Sequence, residues 1–310
     1  MLRRALLAVA ASEQIREVVT ATPATRAVVD RYVAGDSISD AVRVARSLRA
    51  AGLLVTLDYL GEDATDSRLA ADTATQYVQL LGKLAAEGLT EDGAVEVSVK
   101  PTAVGLLLDE RMASGHIERI AIAARDAGTT VTVDAEDHRT TDAGLRIATA
   151  LRSRLPSVGS VVQASLRRTE ADVRELAAPG VRVRLCKGAY AEPASEAFTS
   201  RHDVDKSFAR CLRILMSGPG YPMVATHDPR LIEITRSLAL HRPGGHDPAT
   251  FEHQMLYGVR PAEQRRLAAT GAQVRVYVPY GSDWYGYLVR RLAERPANLA
   301  FFLRSLWSVS

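Results

Sequence analysis

The stretch TVTVDAEDHRTTDAGLRIATALRSRLPSVGSVVQAS, residues 130–165, alternates between two kinds of local pattern. Its two ends, 130–137 and 159–165, are short β-branched runs, which are typical of strands. The segment between them, 140–155, has helical periodicity, starts at threonines that can cap a helix and stops before Pro156. A strand, a helix and a second strand in this order favour a βαβ unit with two parallel strands.

The same unit repeats along most of the chain. Short β-branched runs alternate with longer stretches rich in Ala, Leu, Arg and Glu. The eight strand candidates are 53–60, 95–102, 130–137, 159–165, 181–188, 222–228, 251–258 and 273–281. Eight βα units in about 250 residues match the size of a (β/α)8 barrel. We therefore predict an α/β protein with a distorted (β/α)8 barrel of the TIM type.

The barrel prediction divides the chain into two parts. Residues 1–50 are predicted to form a helical lead-in, and residues 51–310 the catalytic barrel domain, with a final helix over the barrel mouth. An open, doubly wound sheet is the alternative. Such a sheet would carry a glycine-rich turn after its first strand, but DYLGEDATD (58–66) has a single glycine, so the barrel is favoured.

Composition and charge are those of an ordinary globular protein. Of the 310 residues, 47% are hydrophobic and 24% are charged, and the net charge is +3. This small charge gives no reason to expect a nucleic-acid partner. The two cysteines, Cys186 and Cys211, cannot build a disulfide framework, which favours a cytoplasmic protein. The N-terminal MLRRALLAVAASEQ (1–14) mimics a secretory signal, but its apolar run is short and continues into a helical pattern, so an amphipathic helix is favoured.

Polar residues gather at the predicted carboxyl ends of the strands, where the active site of such a barrel lies. They are Lys100, Asp134, Glu136, Gln163, Arg184, Lys187, Thr226, His227, Asp228, Glu252 and Tyr277. A metal hydrolase would use His227 and the acidic members of this set as ligands. The chain has no His-x-His pair, so we predict no metal site.

Two other chemistries could use the same ring of polar residues. Schiff-base catalysis, as in barrel aldolases, would need Lys100 or Lys187 as the amine. A cofactor enzyme would hold a large anionic cofactor with Arg184 and Lys187. Gly188, next to them, would let the backbone approach that cofactor closely.

The segment YGYLVRRLAERP (285–296) is predicted to be a helix with an unusual face. Tyr287, Arg290, Arg291 and Glu294 recur at helical spacing and share that face. An Arg290–Glu294 surface pair is the plain interpretation, because such pairs are common on helices. A pair of guanidinium groups also suits a planar carboxylate.

Six motifs, taken together and in order, carry a family resemblance. They are SVKPTA (98–103), DAED (134–137), VVQAS (161–165), RLCKGAY (184–190), ATHD (225–228) and VYVPYGSDWYGYLVRRLAERPAN (276–298). With them the chain resembles the monofunctional bacterial branch of the FAD-dependent proline dehydrogenases. The resemblance implies a (β/α)8 barrel that oxidises L-proline to Δ1-pyrroline-5-carboxylate. It also implies bound FAD, a membrane quinone as electron acceptor, contact with the inner face of the cell membrane, and pyrroline-5-carboxylate dehydrogenase as a further partner.

The resemblance also assigns residues to the substrate. Arg290 and Arg291 match the pair that binds the proline carboxylate, with Glu294 holding Arg290. Asp134 and Arg184 match the catalytic positions, Asp134 beneath the substrate and Arg184 beside the reactive edge of the flavin. The other substrate residues that the resemblance implies are Lys100, Tyr190, Leu256, Tyr277 and Tyr287.

The flavin contacts are assigned in the same way. The positions that match are Ala135, Gln163, Arg184, Lys187, Gly188, Ala189, Thr226, His227 and Glu252. Two residues depart from the family pattern: Ser165 stands where a tyrosine is frequent, and Asp228 where asparagine is frequent. We expect looser packing near the flavin from the first and an added negative charge from the second. Oxidation of a related cyclic amino acid such as hydroxyproline, a Schiff-base aldolase and a barrel that only binds a ligand are the alternatives.

Overall fold

The computed structural model describes residues 29–241 and 247–293, of which 289–293 by their backbone. Within these residues, eight parallel strands form one closed barrel in sequence order. The strands are β1 (Leu54–Tyr59), β2 (Val95–Val99), β3 (Val131–Val133), β4 (Gly159–Gln163), β5 (Arg182–Cys186), β6 (Tyr221–Ala225), β7 (Glu252–Leu256) and β8 (Val274–Tyr280). Pairing of β8 with β1 closes the circle, which confirms the predicted barrel and excludes the open sheet.

A helix precedes the first strand, and a helix follows each strand. In chain order the helices are α1 (Ile38–Ala50), α2 (Ser67–Ala86), α3 (Glu110–Asp126), α4 (Thr141–Arg152), α5 (Thr169–Leu176), α6 (Arg201–Ser217), α7 (Pro229–Ala239), α8 (Pro261–Ala269) and α9 (Trp284–Ala293). Short 3-10 turns lie at Glu91–Gly93, Thr102–Val104, His138–Thr140 and Pro248–Thr250. Among the described helices, none has the length and apolar surface that a bilayer span requires.

Short polar side chains fix where several helices begin. The Ser37 hydroxyl accepts a hydrogen bond from Asp40 N, and the Asp40 carboxylate accepts one from Ser37 N, which is a complete capping box at the start of α1. Asp66, Asp109 and Asp228 cap α2, α3 and α7 in the same manner by accepting from backbone N–H groups. These caps end the loops that follow the strands, and those loops carry the site.

The strands alternate between an apolar outer face and a polar inner face. Val95, Val97 and Val99 of β2 are fully buried in the apolar core between the sheet and the helices. The residues between them, Glu96 and Ser98, are also fully buried, and their side chains hydrogen-bond to other strands inside the barrel. The barrel interior is therefore polar and charged, whereas barrels of this type are mostly filled with branched apolar side chains.

The described part of the lead-in packs on the barrel. Helix α1 lies against β1 and β8 and contributes Ala41 and Val42 to the core. Just before it, Ala34 N donates to Pro279 O at 2.9 Å, and Gly281 N donates to Gly35 O at 2.9 Å. Residues 1–28 lie outside the described residues, and the division between 50 and 51 stays a prediction.

Candidate active site

The carboxyl ends of the strands hold most of the polar residues expected there. Lys100, Asp134, Lys187 and Thr226 come directly after β2, β3, β5 and β6, and Gln163 is the last residue of β4. Because all eight strands are parallel in the described barrel, these side chains share one end of it.

Three expected strand-end residues start lower in the barrel. Arg184 is the third residue of β5 and Tyr277 the fourth of β8, although their long side chains still reach the group around Asp134. Glu252 is the first residue of β7, so its expected place at a strand end is wrong. The apolar pattern of 251–258 runs past the carboxyl end of the strand, and Glu252 opens the pattern instead of closing it.

Asp134 is the centre of the polar cluster at the carboxyl end. Its Oδ1 accepts a hydrogen bond from Arg184 Nη1 at 2.6 Å, and its Oδ2 accepts one from Tyr277 Oη at 2.9 Å. Arg184 also donates to Ser98 Oγ at 2.9 Å and to Gln254 Oε1 at 2.6 Å. Its guanidinium lies 5.3 Å from the centroid of the Tyr277 ring, within cation–π range. Burial and then the charge of Asp134 raise the pKa of Tyr277 well above its ordinary value, so the phenol remains a donor.

Lys100 forms a second buried ion pair beside this cluster. Its Nζ lies 2.6 Å from Asp58 Oδ2, and the two side chains are 9% and 0% exposed. Burial favours the neutral amine, but the carboxylates of Asp58 and Asp134 outweigh it and raise the pKa of Lys100. The amine is therefore held as an ammonium ion. That state suits a carboxylate ligand and disfavours Lys100 as a Schiff-base nucleophile.

A separate charge network fills the amino-terminal half of the barrel. Arg275 Nε donates to Glu252 Oε1 at 2.8 Å, and Arg182 Nη2 donates to Glu96 Oε2 at 2.8 Å. Gln254 joins this network to the site above it. Its Nε2 donates to Glu252 Oε1 at 2.5 Å, and its Oε1 accepts from Arg184 Nε at 2.6 Å. These bonds hold the Glu252 carboxylate below the strand ends, and its expected flavin contact stays a prediction.

Lys187 belongs to a network of two cations and two carboxylates near the surface. Its Nζ donates to Asp205 Oδ1 at 2.5 Å and to Asp228 Oδ2 at 3.0 Å, and Arg230 Nη2 bonds the same two carboxylates at 2.7 and 2.8 Å. Hydrogen bonds from Arg230 and then from Lys187 lower the pKa of Asp228. The negative charge that Asp228 adds is therefore neutralised where it stands.

Gly188 occupies a turn that other residues would not fit. Its φ is +97°, and a Cβ atom there would come 2.2 Å from Ser165 Oγ and 3.2 Å from Gln163 Oε1. The Ser165 side chain thus lies directly against this turn. Gln163 in turn donates from Nε2 to Glu136 O at 2.6 Å. These contacts fix the backbone that follows β5 against the end of β4.

The other residues assigned to the flavin and the substrate surround the same end. His227 Nε2 accepts a hydrogen bond from Leu256 N at 2.9 Å, so that ring nitrogen carries no proton. Thr226 Oγ1 accepts from Asp228 N at 3.1 Å. Ala135, Ala189, Tyr190 and Leu256, which were also expected to make contacts, are half-buried.

Three residues separate the end of β8 from the start of helix α9. Trp284, Tyr287 and Leu288 are buried, so this part of the helix does not face solvent. Arg290 and Arg291 belong to the helix by their backbone, and the description of the chain stops before Glu294. The shared face predicted for the two arginines and the glutamate stays a prediction.

The comparison with known families gives a direct match. A family model described as proline dehydrogenase covers residues 41–304. The chain belongs to the proline dehydrogenase family. The resemblance drawn from the six motifs is confirmed, and so is the expectation of an oxidoreductase of that family.

Similar proteins of this family span nearly the whole chain. Proline dehydrogenase 1 of Bacillus subtilis subsp. natto is 39% identical over 284 residues, which is 91% of each of the two chains. The proline dehydrogenase of Deinococcus radiodurans is 35% identical over 309 residues, 98% of this chain and 97% of the relative.

A solved structure shows the same fold. Proline utilization A (PutA) from Bdellovibrio bacteriovorus, inactivated by N-propargylglycine, superposes with a TM-score of 0.80 at 24% identity. The match covers 87% of this chain and 33% of that chain, so this chain spans about a third of the solved protein's length. This likeness bears on the barrel and not on the ligand.

Four buried residues of the barrel interior were absent from the sequence prediction. They are Asp58, Ser98, Gln254 and Arg275, which bond the predicted residues or their partners inside the barrel. The signal for them is the strict alternation in VEVSVK (95–100) and VRVYV (274–278). Parallel strands buried on both faces normally read as continuous apolar runs, so this alternation indicates a polar interior.

Glu136 gives the site a predicted pH dependence. It is 5% exposed, and its carboxylate accepts hydrogen bonds from Thr102 N at 2.9 Å and from Thr102 Oγ1 at 2.6 Å. Burial outweighs these bonds and raises the pKa of Glu136 from 4.5 to about 7. A protein loses stability as the pH rises from the unfolded-state pKa of such an acid to its higher folded-state pKa, here from pH 4.5 to about 7.

We expect Glu136→Gln to flatten this part of the stability profile. Relative to the parent protein, the variant should gain roughly 3 kcal/mol of unfolding free energy between pH 4.5 and pH 8. Urea unfolding at a series of pH values measures the gain. Glu91→Gln, at an exposed glutamate, is the control and should leave the slope unchanged. Parallel profiles for the parent protein and Glu136→Gln would contradict the prediction.

Proposed function

We propose that this protein oxidises L-proline to Δ1-pyrroline-5-carboxylate with FAD as its redox cofactor. The observation that carries the proposal is the hydrogen-bonded group of Asp134, Arg184 and Tyr277 beside the buried Lys100–Asp58 pair. It lies at the carboxyl end of a barrel whose chain belongs to the proline dehydrogenase family. The two cations of this group, Lys100 and Arg184, are each paired with a carboxylate, and ammonium and guanidinium groups suit a small substrate that carries a carboxylate.

The residues present fit a flavin. Arg184 is buried, and its Nη2 forms no hydrogen bond among the described residues but lies 3.7 Å from Glu96 Oε1 in an ion pair. At Gly188 the backbone follows a left-handed turn without a Cβ atom, so it can approach an aromatic ring system closely. Gln163, Thr226 and His227 add neutral polar groups at the same end. A bound flavin would supply the two-electron chemistry, by accepting hydride from the substrate carbon.

The chain's own part is to bind, orient and exclude water. Lys100, as an ammonium ion, would attract the proline carboxylate, and Arg290 and Arg291 would bind it from α9. Leu256 would pack on the apolar ring methylenes. Both Asp134 oxygens already accept hydrogen bonds, so we propose that Asp134 holds Arg184 and keeps the proton on Tyr277 instead of acting as a base.

The proposal extends to the partners. A membrane quinone would take the electrons, so a cytoplasmic protein that contacts the inner face of the membrane peripherally is the consistent arrangement. Pyrroline-5-carboxylate dehydrogenase would consume the product. The similarity to a PutA chain about three times as long, which leaves room there for further domains, supports the idea of such a partner.

Anaerobic titration of the purified protein with L-proline tests the function. We expect a yellow protein whose visible flavin absorbance bleaches on addition of L-proline and not of D-proline. If hydroxyproline bleaches the flavin at a lower concentration than L-proline does, hydroxyproline is the preferred substrate. A colourless protein that borohydride traps with a carbonyl compound would instead support the aldolase, and a colourless protein with neither response a barrel that only binds a ligand.

A further inference from the structure

The loop that joins β5 to α6, residues 187–200, is fixed at both ends to the neighbouring turn after β4. We call it the covering loop, because it carries Tyr190 at the carboxyl end of the barrel. Near its start, Ser165 N donates to Lys187 O at 2.8 Å. Near its end, Phe198 N donates to Ser165 O at 2.8 Å. A loop held at both ends in this way can still move at its middle.

The middle of the covering loop is bonded to a different turn. Glu192 Oε1 accepts a hydrogen bond from His138 N at 3.0 Å, and Glu192 Oε2 lies 2.5 Å from His138 Nδ1. An ionised carboxylate only accepts, so Nδ1 must carry the proton. One side chain thus takes two hydrogen bonds from one residue, and we call this pair the latch.

Burial shows that the latch is a specific arrangement. The Glu192 side chain is 4% exposed, although Ala191 and Pro193 on either side of it are exposed. A carboxylate on a surface loop normally points into water, because its burial costs free energy unless hydrogen bonds replace the water. Glu192 is turned inward, and the two donors of His138 satisfy it.

The latch connects the covering loop to the segment that carries the catalytic group. His138 follows Asp134 by four residues and Glu136 by two, and Glu136 is itself bonded to Thr102 after β2. Tyr190 lies two residues before Glu192. Resting on the proposed function, we infer that Glu192 and His138 are positioning residues that hold Tyr190 over bound proline.

The inference predicts a change in substrate affinity without a change in chemistry. We expect Glu192→Ala to raise the KM for L-proline about tenfold, because charge-assisted hydrogen bonds that hold the loop are lost. The kcat should stay within about threefold, because the latch does not touch the reacting atoms. His138→Ala should raise KM less, since the backbone donor remains. His138→Asn should restore the parent value, because the asparagine Nδ2 can take the place of the imidazole Nδ1–H as a donor.

Hydrogen–deuterium exchange tests the latch apart from activity. In Glu192→Ala, amides of residues 188–196 should exchange at least tenfold faster, while those of β5 stay protected. Glu196→Ala is the control, because Glu196 is exposed on the same loop and its described hydrogen bonds are made by its backbone. Unchanged exchange in Glu192→Ala, or equal KM values for His138→Asn and His138→Ala, would overturn the inference. Should the parent protein not oxidise proline, the proposed function fails, and the exchange result alone decides whether the latch exists.

Discussion

Replacing Arg275 with leucine is expected to lower the free energy of unfolding by roughly 3–5 kcal/mol. Arg275 is 3% exposed in β8, and it donates to Glu252 Oε1 at 2.8 Å, to Val55 O at 2.9 Å and to Gly93 O at 3.1 Å. Burial alone raises the pKa of Glu252, but Arg275 and Arg182 outweigh it and keep the carboxylate ionised. Without Arg275, the Glu252 carboxylate stays buried but loses the cation that hydrogen-bonds to it. Urea unfolding measures the loss, and the thermal midpoint should fall by roughly 10 °C.

A matched arginine on the surface separates burial from charge. Arg266 also pairs with a glutamate at 2.8 Å, but its side chain is 48% exposed, so Arg266→Leu should cost less than about 1 kcal/mol. Adding Glu252→Gln to Arg275→Leu removes the stranded charge and should recover about half of the lost stability. Equal losses for Arg275→Leu and Arg266→Leu would mean that the interior network does not stabilise the barrel.

The alternation of strands and helices was visible in the sequence, and the barrel followed from it. Seven of the eight predicted strands contain an observed strand, the eighth, 222–228, starts one residue after β6 does, and all the observed strands end earlier than predicted. The run 130–137 becomes β3, Val131–Val133, because the polar residues that follow it turn away from the sheet to form the site. Asp134 is one of the residues that the prediction assigned to this strand and that follow it in the structure. The strand predictions were too long because they included polar residues that follow the strands.

The contacts inside the barrel could not be predicted in the same way. Arg184 bonds Ser98, which is 86 positions earlier in the chain, and Gln254, which is 70 positions later. Which inward residues meet depends on the stagger of eight strands around the barrel, and a single strand does not contain that information. Asp58 was passed over for a related reason, because in LLVTLDYL (53–60) it reads as a lone charge in an apolar strand.

Glu252 shows that a sequence pattern does not fix the height of a residue in the barrel. It was expected at the carboxyl end of its strand, but it is the first residue of β7. Side chains along a strand alternate faces, so Glu252, Gln254 and Leu256 share the inner face at rising height. Gln254 is the residue of this row that bonds Arg184, and Leu256 is the one at the strand end. The sequence pattern thus predicts which face of the strand a side chain lies on, but not how high in the barrel it lies.

Arg184→Lys is expected to lower kcat/KM for L-proline by roughly 10²–10³-fold. The guanidinium of Arg184 donates through Nε to Gln254 and through Nη1 to Asp134, in two fixed directions. A lysine ammonium is a point charge on a flexible stem and cannot keep both bonds in this geometry, nor the planar contact with the Tyr277 ring. Because the positive charge is kept, a loss of kcat/KM would be due to the lost hydrogen-bond geometry of the guanidinium. Steady-state kinetics with an artificial electron acceptor measure it.

Arg182→Lys is the matched control, because it makes the same change two residues earlier on the same strand. Arg182 pairs with Glu96 in the amino-terminal half of the barrel, away from Asp134. We expect this variant to lose stability in urea but to keep kcat/KM within about threefold. If both variants lose activity in proportion to their lost stability, Arg184 supports the fold alone. If Arg184→Lys loses activity while it unfolds at nearly the parent urea concentration, the hydrogen bonds of Arg184 to Asp134 and Gln254 are what the reaction requires, because the two variants make the same change of side chain on the same strand.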